Sequence, residues 1–205
     1  MTDKPIALED RDRDGARMFS PSAGRNKGAI AGVLAEWLPE GASVLEVGSG
    51  TGEHGAALGE ARADLRWQYS DPDAASRASQ AAWAKPEWPE PLDLDLRVSE
   101  WWDGLPRFDA VFSANMIHIA PIKAAIGLAE GAAQLTDRVF LYGPFLLGED
   151  SAQGNLDFDM SLRRRDPRWG VRELESVKHI FAERGFTLAN RRDMPANNLL
   201  LEFAR

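Results

Sequence analysis

Residues 44–54, Val-Leu-Glu-Val-Gly-Ser-Gly-Thr-Gly-Glu-His, set a short apolar run against three glycines at every second position. A helix-compatible Gly-Ala-Ala-Leu run follows. The pattern is that of a buried strand turning sharply into a helix. Glycine is needed at such a corner because a side chain would block φ > 0 and hold a ligand off the backbone, while the next helix offers unpaired N–H groups and a positive dipole end. The corner is suited to a nucleotide-like ligand.

Two readings of it compete. Gly50-x-Gly52-x-x-Gly55 satisfies the dinucleotide fingerprint, with Asp71 about far enough downstream to meet a ribose. The run, however, starts earlier, with Glu46 inside the strand and Gly48 opening the turn. The fuller Glu-x-Gly-x-Gly-x-Gly resembles the first motif of class I S-adenosylmethionine (SAM)-dependent methyltransferases, in which the loop lies along the methionine part of the cofactor.

At 205 residues the chain suits one domain with a substantial core. Its 24 basic and 32 acidic residues give a net charge of −8, which weighs against nucleic acid as a partner because such binding rests on neutralising phosphates. The absence of cysteine removes disulfides, thiolate metal sites and a cysteine nucleophile, and His54, His118 and His179 lie at no ligand spacing from one another, so no metal is expected. No apolar leader core and no run near the ~18 apolar residues of a membrane span occur. A soluble, cytoplasmic protein that does not enter a membrane is expected.

Residues 1–19, dense in charge over 3–17, read as a flexible N-terminal arm, and 20–205 as one domain. From Gly24 onward Ile30, Val33, Leu34, Trp37 and Leu38 recur on one helical face, ended by Pro39 and Gly41. Arg25 and Asn26, near that start, could grip a carboxylate or be ordinary first-turn residues. Residues 65–70 alternate as a second strand ending in Asp71-Pro72-Asp73, where an acid can accept both protons of a ribose diol or cap the next helix. A helix over 74–84 stops at Pro86. Residues 92–96, Leu-Asp-Leu-Asp-Leu, alternate as a third strand, with Asp95 placed to accept from an adenine amino group or else facing solvent.

Residues 108–114 are apolar enough for a strand buried on both faces and run into Asn115-Met116-Ile117-His118. His118 is the candidate general base, against a hydrogen-bonded structural histidine. Another strand over 137–145 ends at Tyr142, Gly143 and Phe145. Residues 146–170 break the alternation as a long lid-like insertion. A helix over 171–184 closes at Gly185, and 186–189 and 199–203 are two late strands.

Alternation of strand and helix predicts a parallel sheet with right-handed crossovers, whose ligands bind beyond the carboxyl ends of the strands. The chain further resembles a family of small, uncharacterised class I methyltransferase-like proteins with bacterial and animal members, a human methyltransferase-like protein among them. The strings that carry the resemblance run over residues 20–205: Arg25-Asn-Lys, the corner itself, Trp67-Gln-Tyr-Ser-Asp, Leu92-Asp-Leu-Asp, Ala114-Asn-Met-Ile-His-Ile, Leu141-Tyr-Gly-Pro-Phe, Asn155-x-x-Phe-Asp-x, Asp166-Pro-x-Trp-Gly-x-Arg and Met194-Pro-Ala-Asn-Asn.

The resemblance implies a Rossmann-like α/β fold, a mostly parallel seven-stranded sheet with helices on both faces and an antiparallel C-terminal strand. It implies SAM as cofactor, held at Glu46, Gly48, Ser49, Gly50 and Gly52 by its methionyl part, at Asp71 by its ribose and at Asp95 and Leu96 by its adenine. Asn115 would stand behind the methyl donor, and Arg25 with Asn26 would meet the cofactor carboxylate. His118 and Tyr142 are the candidate catalytic residues, while Phe145, Asn155, Arg163, Trp169 and Asn198 would face a small-molecule acceptor. A SAM-binding protein without catalysis and an NAD(P)-dependent oxidoreductase are the alternatives, the latter weakened by the lack of a Tyr-x-x-x-Lys pair.

Overall fold

The strand before the glycine corner forms as expected. In the computed structural model residues 9–205 are described, and the chain divides into two compact units, Met1–Asp95 and Leu96–Arg205. The start of the expected arm, 1–8, lies outside the described residues.

In the first unit, β1 (Asp12–Asp14) and β2 (Arg17–Phe19) pair antiparallel across Gly15. This corrects the flexible arm over these residues: Met18 is buried, its N–H donates to Ser79 Oγ at 2.8 Å, and Trp83 Nε1 donates to Met18 O. The sequence signal missed it because the buried residue is one methionine after six exposed neighbours over 12–17, with no apolar periodicity to read. Helix α1 (Pro21–Trp37) starts at Ser20 as N-cap with proline in its first turn, well before Ile30 opens the apolar face, so Arg25 and Asn26 lie inside it.

Strand β3 (Ser43–Val47) runs parallel to β4 (Arg66–Ser70), and Val44, Leu45, Val47, Trp67 and Tyr69 form their buried core. Between them lies α2 (Glu53–Ala61), and after them α3 (Ala74–Trp83), which Asp73 caps by accepting the Ser76 N–H at 2.8 Å. The expected strand at 92–96 is a single parallel bridge, Ser70 to Leu92. Leu92 N–H donates to Tyr69 O and Leu92 O accepts from Asp71 N–H, while Asp93 turns outward to Arg77 at 3.0 Å. Alternation over five residues was misleading because only the first finds ladder partners.

In the second unit β5 (Ala110–Ala114) runs parallel to β6 (Arg138–Pro144), linked through α4 (Ile122–Leu135). Helices α5 (Gln153–Arg165) and α6 (Leu174–Ala182) follow, then β7 (Thr187–Met194) and β8 (Asn198–Ala204). β8 pairs antiparallel with both β6 and β7. Phe181 stacks on Phe203 at 4.6 Å and meets Phe186 edge-on, fixing α6 on this sheet. The stretch expected as a lid-like insertion is largely α5, whose three C-terminal arginines suit the negative end of its dipole. Residues 190–198, between the two expected late strands, are mostly strand as well.

The fold is α/β, with a mostly parallel sheet and an antiparallel C-terminal strand as expected. Among the described residues the larger sheet has six strands, one fewer than expected, the difference being 92–96. Among the described residues no helix is long and apolar enough to cross a membrane.

Candidate functional site

The corner of the first unit is built by local backbone chemistry. Gly48, Gly50 and Gly52 have φ of 66°, 55° and 91°, the left-handed region in which a side chain would be strained. Ser49 N–H donates to Ser70 O at 2.9 Å, and the Ser49 and Ser70 hydroxyls both donate to Glu46 O, so the loop is stitched to the ends of both strands. Asp71 completes it: one carboxylate oxygen accepts the Gly50 N–H at 3.0 Å, the other the Asp73 N–H at 2.9 Å. Burial raises the Asp71 pKa, and these two N–H groups oppose the rise.

Side chains behind the loop fix it further. Glu46, 1% exposed, accepts from Trp67 Nε1 at 3.0 Å and lies 3.7 Å from His54 Nδ1, whose Nε2 meets Asn26 Oδ1 at 2.9 Å. Glu53, 2% exposed, accepts from Ser20 N–H at 2.7 Å, Thr51 Oγ1 at 3.0 Å and Lys27 Nζ at 2.9 Å. From α3, Ser79 Oγ donates to Thr51 O and Gln80 Nε2 to Gly50 O. Asp71 thus lies beside the loop at the end of β4, and Glu46 behind it within β3. Arg25 does not meet the loop: its side chain is 66% exposed and pairs with Glu9 at 2.9 Å. Asp95 is half-buried, three residues beyond the Leu92 bridge, and Leu96, which opens the second unit, is buried.

The second unit gathers a different set. Asn115 ends β5 in the left-handed region, φ 60° and ψ −13°, and its N–H donates to Tyr142 O at 2.7 Å. His118, 1% exposed, follows in a short 3-10 turn, with its ring edge-on to Phe145 at 5.1 Å. Arg172 N–H donates to His118 Nδ1 at 3.2 Å, and the Arg172 guanidinium donates to Ile117 O and Ala120 O. A backbone N–H can only donate, so Nδ1 is a lone pair and neutral His118 carries its proton on Nε2. Nε2 is buried and has no hydrogen-bond partner. Burial, with the Arg172 charge adding, pulls the His118 pKa down to about 3. At the position expected to hold the general base, the imidazole therefore has its accepting nitrogen engaged by the Arg172 N–H.

Tyr142 on β6 and Phe145 just beyond it are buried, and a Cβ on the intervening Gly143 would lie 2.6 Å from His118 Nε2. Asn155, buried on α5, donates through Nδ2 to Phe145 O at 3.1 Å and Asn197 O at 3.0 Å. Asn198 donates to Pro195 O and Ala196 O within its own turn. Arg163 is exposed and pairs with Asp159 at 2.8 Å, and half-buried Trp169 lies in the turn closed by its N–H on Asp166 O. Sequence reasoning missed Glu53, Gln80 and Arg172 as organisers. Glu53 and Arg172 stand inside quoted strings, but nothing in their spacing marks them; Gln80 carries no sequence signal. Among the described residues no group of three or more histidine or acidic side chains is placed to hold a metal ion.

A family model described as "Protein of unknown function (DUF938)" matches residues 17–205. Among solved structures, the chain is similar to the pyocyanin biosynthetic protein PhzM at 18% identity and a TM-score of 0.73, over 90% of this chain and 59% of that one. It is similar to an O-methyltransferase family protein from Burkholderia thailandensis at 16% identity and a TM-score of 0.75, over 90% of this chain and 56% of that one. It is also similar to magnesium protoporphyrin IX methyltransferase from Synechocystis PCC 6803, solved with bound SAH, at 18% identity and a TM-score of 0.66, over 90% of this chain and 83% of that one. The chain therefore spans under three fifths of the first two. At such identities the likeness establishes the Rossmann-like fold and nothing finer.

Proposed function

We propose, for a chain that belongs to the DUF938 family of proteins of unknown function, a SAM-dependent methyltransferase acting on a small-molecule acceptor. The observation that carries the reading is the pairing of Asp71 with the Gly50 N–H at 3.0 Å, which sets an acid beside a glycine corner after the first parallel strand. Each Asp71 oxygen spends one lone pair on a backbone N–H, which leaves acceptor capacity on both for the two hydroxyls of a ribose. The loop at 48–52 fits the tail of the same cofactor because it presents backbone without side chains at its three glycines. A bound SAM would supply an electrophilic methyl group on a positively charged sulfur.

What the chain itself contributes is position. The corner holds the ligand through groups already locked by Ser49, Ser70, Ser79 and Gln80, so little order has to be created on binding. The second unit's cluster offers an acceptor the neutral Nε2–H of His118 and takes no proton from it. The arrangement suits a nucleophile that needs alignment more than deprotonation.

Titration calorimetry with S-adenosylhomocysteine tests the reading. Native protein is expected to bind, and Asp71→Ala to weaken binding by about tenfold or more, the equivalent of one charge-assisted hydrogen bond. Absence of binding by native protein ends the proposal, and preferential binding of a nicotinamide dinucleotide would replace it with the oxidoreductase reading. A second reading, SAM binding without catalysis, is favoured by one observation, that His118 Nδ1 already accepts the Arg172 N–H. Transfer of labelled methyl from SAM to any small-molecule extract fraction rules it out.

A further inference from the structure

The corner is rich in carboxylates and sparing in cations. Glu46 and Glu53 are buried and Asp71 half-buried. Lys27 is committed to Glu53 at 2.9 Å, and Arg25 points outward to Glu9. Arg77 donates to the Asp71 and Pro72 carbonyls and pairs with Asp93. Among the described residues a guanidinium from the N-terminal segment also reaches the loop. Arg11 is half-buried, with one terminal nitrogen 3.8 Å from where a side chain on Gly50 would begin and the other 3.5 Å from Ser76 Oγ. Its charge also reaches Asp71, where it opposes the effect of burial.

The segment that carries Arg11 is fastened to the same corner. Met18 N–H donates to Ser79 Oγ at 2.8 Å and Ser79 Oγ donates on to Thr51 O at 2.7 Å, a relay from hairpin to loop. Ser20 N–H donates to Glu53, and Arg17 lies 4.6 Å over the Trp83 ring. A guanidinium is the side chain best matched to a carboxylate, which it meets with two parallel N–H groups.

We propose that Arg11 is the residue by which this chain reads the anionic tail of its ligand, binding the carboxylate of a nucleoside that carries an amino acid. The proposal rests on the methyltransferase reading and names a residue for a task the sequence alone had given to Arg25. Two probes separate it from a structural role: S-adenosylhomocysteine, which has the amino-acid tail, and 5′-methylthioadenosine, which keeps the nucleoside and thioether and lacks the tail.

By calorimetry, Arg11→Ala is expected to weaken S-adenosylhomocysteine binding by about 10- to 100-fold, the range of a hydrogen bond to a charged group, and to leave 5′-methylthioadenosine within about twofold. Arg13→Ala, an equal loss of charge two residues further on, within β1, is expected to change neither by more than about twofold. Equal weakening of both nucleosides by Arg11→Ala overturns the proposal, as does weakening of neither, or an Arg13→Ala effect of the same size. Native protein that binds both nucleosides equally tightly overturns it too, whereas native protein that binds neither removes the cofactor reading on which it stands.

Discussion

The glycine corner of the first unit and the histidine cluster of the second solve one geometric problem, a tight turn after a parallel strand, in opposite ways. The corner uses three left-handed glycines and turns nearly every neighbouring polar side chain inward to hold them, Gln80 Oε1 alone among those organisers being buried without a partner. The cluster uses one left-handed asparagine and keeps a buried imidazole with an uncommitted Nε2. In the corner the side chains serve mainly to hold the backbone, whereas in the cluster the backbone holds the side chains.

If that contrast is right, removing a corner side chain should cost stability heavily. Glu53→Ala leaves the Ser20 N–H and the Lys27 ammonium without the carboxylate they share. Lys27 is a third exposed, so water recovers part of the loss. About 3 kcal/mol is expected in urea unfolding, corresponding to a melting temperature lower by roughly 6–12 °C for a chain of this size. Glu53→Gln, which keeps an acceptor for the Ser20 N–H, should lose about half as much. A cost below ~1 kcal/mol would break the contrast by showing that the corner holds without its scaffold.

The cluster should betray itself through pH instead. His118 has its pKa drawn down to about 3 in the folded chain, against ~6.5 in an unfolded one. Above pH 6.5 both states leave the ring neutral and its contribution is fully present. As pH falls toward 3 the unfolded chain takes up a proton that the folded chain refuses, and stability is lost by about 1.4 kcal/mol per unit. His118→Asn keeps an acceptor for the Arg172 N–H and cannot titrate. The native advantage over this variant should therefore shrink by about 2 kcal/mol between pH 7 and pH 5, measured by denaturant titration at each pH. A constant gap would mean that the ring titrates as an exposed histidine does, and that the cluster opens to water.

The same contrast explains what could be read from the chain beforehand. The corner was legible because its turn is written in contiguous residues: the apolar strand, the alternating glycines and the acid that ends the next strand. The α/β order followed from the same local periodicities. The cluster was legible only as names, since its chemistry depends on Arg172 meeting His118 across 54 positions, and on Gly143 lacking a side chain where Nε2 sits. Residues 92–96 failed for a related reason: the alternation was present, but partner backbone was there for Leu92 alone. Helix α5 was hidden because Leu156, Phe158 and Met160 are exposed while Asn155 and Leu162 are buried, which erases the apolar stripe by which a helix is recognised.

The smallest effect is the sharpest test of which part of the cluster is scaffold. Asn115 sits at φ 60°, where glycine is at ease, asparagine is tolerated and alanine pays about 1 kcal/mol. Its side chain makes no capping hydrogen bond to the turn that it begins. Were the asparagine present only to admit this backbone, as the glycines are in the corner, Asn115→Gly would leave both stability and the proposed methyl transfer intact. If instead the side chain is what the cluster presents, Asn115→Gly should change unfolding free energy by no more than about 0.5 kcal/mol and still lower transfer, while Asn115→Ala lowers transfer equally and costs about 1 kcal/mol besides. The two variants together separate backbone need from side-chain use: equal transfer loss with unequal stability loss assigns the amide to the ligand, and full transfer in the glycine variant would make Asn115 one more turn residue, like Gly50.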